Sequence, residues 1–322
     1  MYNIIDVSII VVNWNTKEYL NDCLISIFRE TQTITFEVIV VDNGSVDQSA
    51  EMVRELFPQV KLIANDDNKG FPRANNQGIA ISSGRYVLLL NSDTVILDGA
   101  IQKLVGFADS HPEAGAVGGT MLGKNRKIDP LCFRKRFDAV TAWQEYLFLH
   151  KRGGKVDVQK LDKREVDVLV GAYMMVRSEV IKEIGGLDEL FFLSAEDLDW
   201  CLRIRKAGWK IYYYPESVII HYGSTSFKRS WDRGIITGYH SKELLFHKHY
   251  GIRSLLLLRG AAVIGSLIRW AGWANRALWG TAEIKNDAQI RRKAYWQVVK
   301  QALRIQSFET SRHNMESSRP HA

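Results

Sequence analysis

The stretch from Arg85 to Val95, RYVLLLNSDTV, constrains the fold of this chain more than any other. An apolar run from Tyr86 to Leu90 stops abruptly on Asn91, Ser92 and Asp93. A continuous apolar run bounded by polar residues predicts a central strand of a parallel sheet, covered on both faces. In open α/β sheets ligands bind beyond the carboxyl ends of the strands, so a carboxylate one step past the last buried residue marks a site. Asp93 is therefore a candidate metal ligand. The same triplet also fits plain turn chemistry, with Asp93 capping a helix that begins near Asp98.

The residues before this strand repeat its pattern. Val7 to Val12 is a second apolar run and ends at Asn13-Trp14-Asn15; Phe36 to Val41 is a third and ends at Asp42-Asn43-Gly44-Ser45; Val60 to Ala64 is a fourth, shorter one. Helical spacing of Leu20, Cys23, Leu24 and Ile27 behind Thr16 as N-cap predicts a helix between the first pair. Ser45 with Gln48 reads as a capping box for the next helix. Asn68-Lys69-Gly70-Phe71-Pro72-Arg73 opens a third, with Pro72 in the first turn, where its missing N–H costs nothing. Strands alternating with helices in this way predict right-handed βαβ crossovers and a parallel sheet. Three polar clusters at one edge of such a sheet make a polar site: Asn13 and Asn15; Asp42, Asn43 and Asp47; Asn91 and Asp93.

A nucleotide-binding α/β half is the natural reading, yet the Gly-x-Gly-x-x-Gly fingerprint and the Walker Gly-Lys-Ser/Thr are both missing after the first strand. A diphosphate would have to be neutralised otherwise. Mg²⁺ or Mn²⁺ on Asp93 would serve, because such ions bind through one or two carboxylates plus substrate phosphate oxygens; Lys69 and Arg73 are candidates to assist.

Beyond Leu97 the pattern loosens. Residues 120–164 are polar and mixed, and are expected to hold loops specific to an acceptor. Val166 to Val176 predicts one strand, with Gly171-Ala172 in its middle marking close approach of a ligand or another backbone. In Phe191 to Trp200, Ser194 reads as an N-cap with Asp197 at N3, which puts Glu196 and Asp197 in the first helical turn; Asp199 and Arg203 form an i,i+4 pair on the outer side. Acids are common in a first turn because they complement the helix dipole. The same field keeps a carboxylate ionised, as a general base requires. Ile211–Tyr214 and Val218–Ile220 predict two short strands, and His221 ends the second with a group able to ligate the same metal.

Charge is unevenly spread. The whole chain of 322 residues carries +7. From Gly251 onward there are twelve Lys/Arg against four Asp/Glu, a net +8, which leaves −1 for the first 250 residues. The basic excess belongs to the tail, which argues against a nucleic-acid partner. Cys23, Cys132 and Cys201 lack Cys-x-x-Cys spacing and indicate neither a disulfide framework nor a thiolate zinc site, in keeping with a reducing compartment. Met1 to Ile5 runs into the first strand without the charged and apolar regions of a secretory signal.

Taken in order, SIIVVNWN, VIVVDNGSVD, NKGFPRANNQG, YVLLLNSDT, the Gly185 to Phe192 stretch, AEDLDWCLRIRKAGW and VIIHYGSTS resemble the family 2 glycosyltransferases of the inverting, metal-dependent GT-A type, over residues 6–228. The nearest subgroup is the rhamnosyltransferase-like enzymes of bacterial cell-surface polysaccharide synthesis. The resemblance implies an α/β GT-A fold at residues 1–250, with a nucleotide-binding half to about 120 and an acceptor-binding half beyond. Asp42 would contact a pyrimidine base, and Asn13, Asn15, Asn43, Asp47, Asn68, Gly70, Arg73, Asn91 and Ser92 would line the nucleotide pocket. Asp93 and His221 would hold Mg²⁺ or Mn²⁺, and Asp197, with Glu196 beside it, would be the base. One departure stands out: the first acid of the family's Asp-x-Asp is Asn91 here, which removes a charge from the metal site.

The expected partners are a nucleoside-diphosphate sugar, with dTDP-L-rhamnose the first guess and a UDP-sugar the second, and a glycan or polyprenyl-linked glycan. Residues 251–306 read as an amphipathic helical extension. Arg259 and Arg269 interrupt its apolar run, and three tryptophans accompany it, which suits a helix in the headgroup region of an anionic membrane better than a span. A soluble helical hairpin is the other reading. Residues 307–322 read as disordered, and the enzyme is expected in the cytoplasm, peripheral on the inner membrane. Two other classes share the fold: a sugar nucleotidyltransferase, which would want a Gly-rich basic loop after the first strand, and a non-catalytic nucleotide-sugar or glycan binding subunit.

Overall fold

The computed structural model describes residues 4–129, 132–134, 137–147, 162–192, 194–223 and 231–303. The N-terminal portion runs β1 (Val7–Asn13), α1 (Lys17–Glu30), β2 (Phe36–Asp42), α2 (Ser49–Leu56), β3 (Lys61–Ala64), α3 (Phe71–Ala80) and β4 (Tyr86–Asn91). These four strands pair in parallel in the order β3-β2-β1-β4, as the helix-strand alternation requires. The apolar runs of β1, β2 and β4 are buried, at Ile9–Val11, Val38–Val41 and Val87–Leu90, whereas β3 at the sheet edge is half exposed. Register places Asn13 opposite Asp42 and Val12 opposite Asn91, so the three polar clusters end level at one edge.

The sheet then changes character. It continues β4-β10-β6-β11-β5, built from β5 (Thr94–Ile96), β6 (Ala114–Leu122), β10 (Tyr173–Arg177) and β11 (Lys210–His221). β10 is antiparallel to both β4 and β6, and β11 runs parallel to β6. β5 pairs antiparallel with the end of β11, setting Thr94 opposite His221. β8 (Arg164–Glu165) adds to β11, and β7 (Phe133–Arg134) pairs with β9 (Val168–Leu169) in a separate ribbon. Helices α4 (Ala100–Ser110), α6 (Ser178–Ile184) and α7 (Glu196–Lys206) pack on these strands.

Several local expectations are corrected. Val166 to Val176 is two strands, β9 and β10, in different sheets, broken by a turn at Gly171-Ala172. Conversely, Ile211 to Ile220 is a single strand with a register shift between Tyr214 and Val218, which lets it bend past Pro215 without ending. The second helix starts at Ser49 behind Gln48 at φ 65°, so Ser45 caps nothing. Thr16 is the N-cap residue of α1, but its hydroxyl is turned to other partners. At α7 both Ser194 and Ala195 have positive φ, and Ala195 is the N-cap.

The chain forms two compact units. One comprises the described residues from 4 to 137 and 162–223. The other comprises α5 (Ala139–Tyr146), α8 (Trp231–His249), α9 (Gly251–Trp279) and α10 (Ala282–Leu303). The expected boundary at 250 thus falls inside the second unit, between α8 and α9, and α5 joins that unit although it lies within the sequence of the first. In this unit α9 packs against α5, α8 and α10. By length and composition it is apolar enough to cross a membrane. The predicted tail at 307–322 lies outside the described residues, as do residues 148–161 of the expected acceptor loops.

Candidate active site

Three strand ends are stitched together by side chains. Asn13, fully buried at the end of β1, donates to Asp42 Oδ1 at 2.8 Å and to Ser45 Oγ at 3.2 Å, and its own Oδ1 accepts from Thr16 Oγ1 at 2.6 Å. The Thr16 hydroxyl also meets Ser92 Oγ at 2.9 Å, which links the β1 end to the β4 end. Asp42 Oδ2 accepts from Ser45 N at 3.0 Å. Asn15, at φ 53°, donates its backbone N–H to Ser45 Oγ and accepts from Val46 N. Asp47 accepts from the backbone N–H groups of Lys17 and Ser49, at 2.9 and 3.1 Å. Buried polar groups of this kind are costly unless all are bonded. Here the bonds run between the loops, so the lattice fixes one pocket wall.

A second wall comes from the loop before α3. Asn43 donates to Asn68 Oδ1 at 2.9 Å and accepts from Lys69 N at 3.0 Å; Asn68 Oδ1 also accepts from Gly70 N at 3.0 Å. Gly70 has φ +87°, and a Cβ there would lie 2.9 Å from the Phe192 ring, so glycine is required on both counts. Phe71 N donates to Phe192 O at 3.1 Å, tying this loop to the segment ahead of α7. Lys69 is ion-paired with Asp67, and the exposed Arg73 lies 3.9 Å from Glu189. Both predicted phosphate helpers thus have acids beside them.

Asp93 and His221 come together. Asp93 Oδ1 lies 3.3 Å from His221 Nε2, and Asn91 Nδ2 is 3.4 Å from that same nitrogen. Tyr222 N donates to Asp93 O at 2.9 Å, locking the end of β11 beside the end of β4. His221 Nδ1 is buried and has no hydrogen-bond partner among the described residues. Among those residues no set of three or more His, Cys, Asp or Glu converges as a cation cage. One carboxylate and one imidazole 3.3 Å apart fit a divalent ion that takes its remaining ligands from a diphosphate and water. Asn91 stands beside the pair and brings no charge.

Glu196 and Asp197, both buried, occupy the first turn of α7. Asp197 Oδ1 accepts from Leu198 N at 2.8 Å. The turn at Gly171-Ala172 lies between them and the end of β4: Asn91 N donates to Ala172 O at 3.1 Å, and a Cβ on Gly171 would stand 3.5 Å from the Phe71 ring and 3.9 Å from Asp197 Cβ. These are ordinary van der Waals distances, so a side chain would fit at Gly171 and the glycine does not mark the close approach expected of it.

Some contributors are not evident in the sequence. Asn76 of α3 accepts from Leu187 N and donates to Leu187 O, at 2.9 and 2.8 Å. Asp199 does pair with Arg203 at 2.8 Å, yet it is fully buried and not on an outer face. Arg203 in turn donates to the carbonyls of Ile184 and Gly186. Four residues after an acid, an arginine looks like a surface pair; only the packing of α6 on α7 turns it into a clamp.

A fold of this kind, with carboxylates and amides gathered at the carboxyl edge of a parallel half-sheet, is that of a nucleotide-sugar transferase of the GT-A type. The model of glycosyltransferase like family 2 matches residues 5–234, and the chain belongs to that family; it is a glycosyltransferase. Among known proteins it is similar to N-acetylglucosaminyl-diphospho-decaprenol L-rhamnosyltransferase of Mycobacterium tuberculosis, 25% identical over 292 residues that cover 81% of this chain and 94% of the relative. It is also similar to the pre-mycofactocin glycosyltransferase of the same species, 27% identical over 197 residues, 60% of this chain and 39% of that one. Among solved structures, GalNAc-T7 with UDP, GalNAc and Mn²⁺ matches with a TM-score of 0.54 at 16% identity, over 68% of this chain and 43% of that one. That likeness is one of fold.

Proposed function

We propose that this glycosyltransferase moves a sugar, with inversion, from a nucleoside-diphosphate donor to a hydroxyl of a polyprenyl-linked glycan in cell-surface polysaccharide assembly. dTDP-L-rhamnose is the first choice of donor and a UDP-sugar the second. The observation that carries this reading is the Gly171-Ala172 turn, which joins the strand ending in Asn91 and Asp93 to the helix that begins with Glu196 and Asp197. Donor-side and base-side groups therefore share one rim. The decaprenol-linked substrate named for the mycobacterial relative supports a lipid-linked acceptor, and work at the cytoplasmic face of the inner membrane follows from such an acceptor.

In this reading Asp42 accepts from the N–H of a pyrimidine through a lone pair not used by Asn13 or Ser45. Asn13, Asn15, Asp47 and Ser92 keep that wall rigid, and Asn43 and Asn68 hold the Gly70 loop against the donor. Asp93 and His221 would hold Mg²⁺ or Mn²⁺, which when bound offsets negative charge on the departing diphosphate. Asp197 accepts the proton of the acceptor hydroxyl as its oxygen attacks the anomeric carbon. The new C–O bond forms as the bond to the diphosphate oxygen breaks, and the diphosphate leaves with the electron pair. Glu196 adds negative charge next to the base.

The test is calorimetric titration of dTDP, UDP and GDP with and without Mn²⁺, followed by transfer from the bound donor to polyprenyl-diphospho-N-acetylglucosamine, with the anomeric configuration of the product read by NMR. Metal-dependent binding of one pyrimidine nucleotide and an inverted product are expected. A retained configuration, or no nucleotide binding by folded protein, would overturn the proposal.

A further inference from the structure

The two arginines that interrupt the apolar run of α9 do not face outward. Arg259 is paired with Glu243 of α8 at 2.6 Å. Arg269 donates to the carbonyls of Tyr146 and Gly265 through one nitrogen, at 2.7 and 3.0 Å, and to that of Glu145 through another. Both are consumed inside the helical unit. The opposite side of α9 is therefore free of charge from residue 254 to 275, the charged residues of that span being these two. Leu256, Leu257, Ile264, Leu267 and Ile268 stand there, each 41 to 57% exposed. At 100° per residue they occupy one arc of roughly 120°. The inner arc, Leu255, Leu258, Ala261, Ala262, Gly265 and Ser266, is buried.

Resting on the reading of a lipid-linked acceptor, we propose that this arc of α9 seats the helical unit on an anionic lipid bilayer, with the helix lying along the surface. Crossing is disfavoured by what packs on α9. α10 lies against it and carries Lys285, Asp287, Arg291, Arg292, Lys293 and Lys300 along its 22 residues, and these charges would enter the hydrocarbon with it. A lipid surface is favoured over a protein partner by charge. Residues 251–303 hold nine Lys/Arg against two Asp/Glu, and one of the two acids, Asp287, is paired with Arg291. A large apolar face on so cationic a unit matches an interfacial helix drawn to acidic headgroups. The C-terminal end of α9 adds Leu278 and Trp279, both strongly exposed, and a tryptophan there suits the headgroup level.

The experiment is co-sedimentation of the full-length protein with phosphatidylglycerol/phosphatidylcholine vesicles and with pure phosphatidylcholine vesicles. It is run on the wild type, on Ile264→Gln and on the triple variant Leu257→Gln, Ile264→Gln, Ile268→Gln. Wild type should bind the anionic vesicles, bind the neutral ones at least tenfold more weakly, and be released by alkaline carbonate. Ile264→Gln should weaken binding and the triple variant abolish it. Unchanged binding by the triple variant, carbonate-resistant insertion, or a wild-type dimer that the triple variant converts to monomer would overturn the proposal; the last would make a second copy the occupant. Nucleotide titration of the same samples separates the two readings. Variants that bind nucleotide but not vesicles support this surface, whereas wild type that binds vesicles but not nucleotide counts against the donor site alone.

Discussion

Asn76 holds Leu187 by both ends of its amide, accepting from the backbone N–H at 2.9 Å and donating to the carbonyl at 2.8 Å. Glycine is needed next door, because a Cβ on Gly186 would come within 2.4 Å of Asn76 Oδ1. This two-point clasp joins the helix behind the donor loop to the segment that leads into α7. Asn76→Ala would leave both backbone groups without their partner, a loss of about 1–3 kcal/mol. The expected outcome is a lower unfolding midpoint and a fall in kcat larger than the change in donor affinity, checked by denaturation and steady-state kinetics.

The pair formed by Asp93 and His221 predicts a graded response. Asp93→Asn keeps the shape but removes the charge, so Mn²⁺-dependent nucleotide affinity should fall at least about tenfold, roughly 1.4 kcal/mol, while metal-free binding stays as it was. His221→Ala should have the smaller effect. Chelation of the metal should bring wild type to the level of the Asp93 variant; calorimetry reads all three.

Asp197→Asn should lower kcat by about 10²–10⁴, the range for a positioned general base, with nucleotide affinity unchanged. Turnover at the wild-type rate would remove Asp197 from the mechanism. Glu196→Gln, one residue away, should keep more activity than Asp197→Asn.

Glu37 offers a pH signature away from the site. Burial pushes its carboxyl up, but Lys61 Nζ at 2.6 Å and the hydrogen bonds from Ser8 and Ser83 outweigh this and hold it at about 2. A lowered pKa in the folded state contributes stability above the unfolded carboxylate pKa and loses it as pH falls. Glu37→Gln should therefore lower the melting temperature at pH 7, and the gap to wild type should close between about pH 4.5 and 2. Thermal melts across that window are the check.

Breaking the clamp below α7 should be costly. Asp199→Ala would leave Arg203 without its buried counter-charge, for which about 3–5 kcal/mol is expected. Arg203→Lys keeps the charge but lacks the fork that reaches Asp199 and the carbonyls of Ile184 and Gly186 together. It should recover only part of the loss in chemical denaturation.

Strands β1, β2 and β4 of the parallel half are legible because they are buried and announce themselves as apolar runs. Their polar ends reveal the rim for the same reason: Asn13, Asp42 and Asn91 are abrupt stops. What the residues do not disclose is which partner a small polar side chain chooses. Ser45 has a glutamine three positions on and so looks like a local cap; in the fold it bonds Asn13 and Asn15 across 30 residues or more. Asp199 and Arg203 have surface spacing but a buried setting, and Arg259 and Arg269 interrupt an apolar run in the sequence while their charges are held inside the helical unit. The split of Val166 to Val176 is silent as well, since an apolar run does not say which sheet each half will join.

β10 enters the sheet against the direction of β4 and β6, so the connection leaving Leu122 and the one arriving at Tyr173 open at the same edge as the polar ends of β1, β2 and β4. Both ends of the intervening stretch thus lie on that rim, while α5 within it packs on α9. Any replacement of that stretch would have to keep the α5 surface that α9 and Arg269 hold, whatever it changed at the rim.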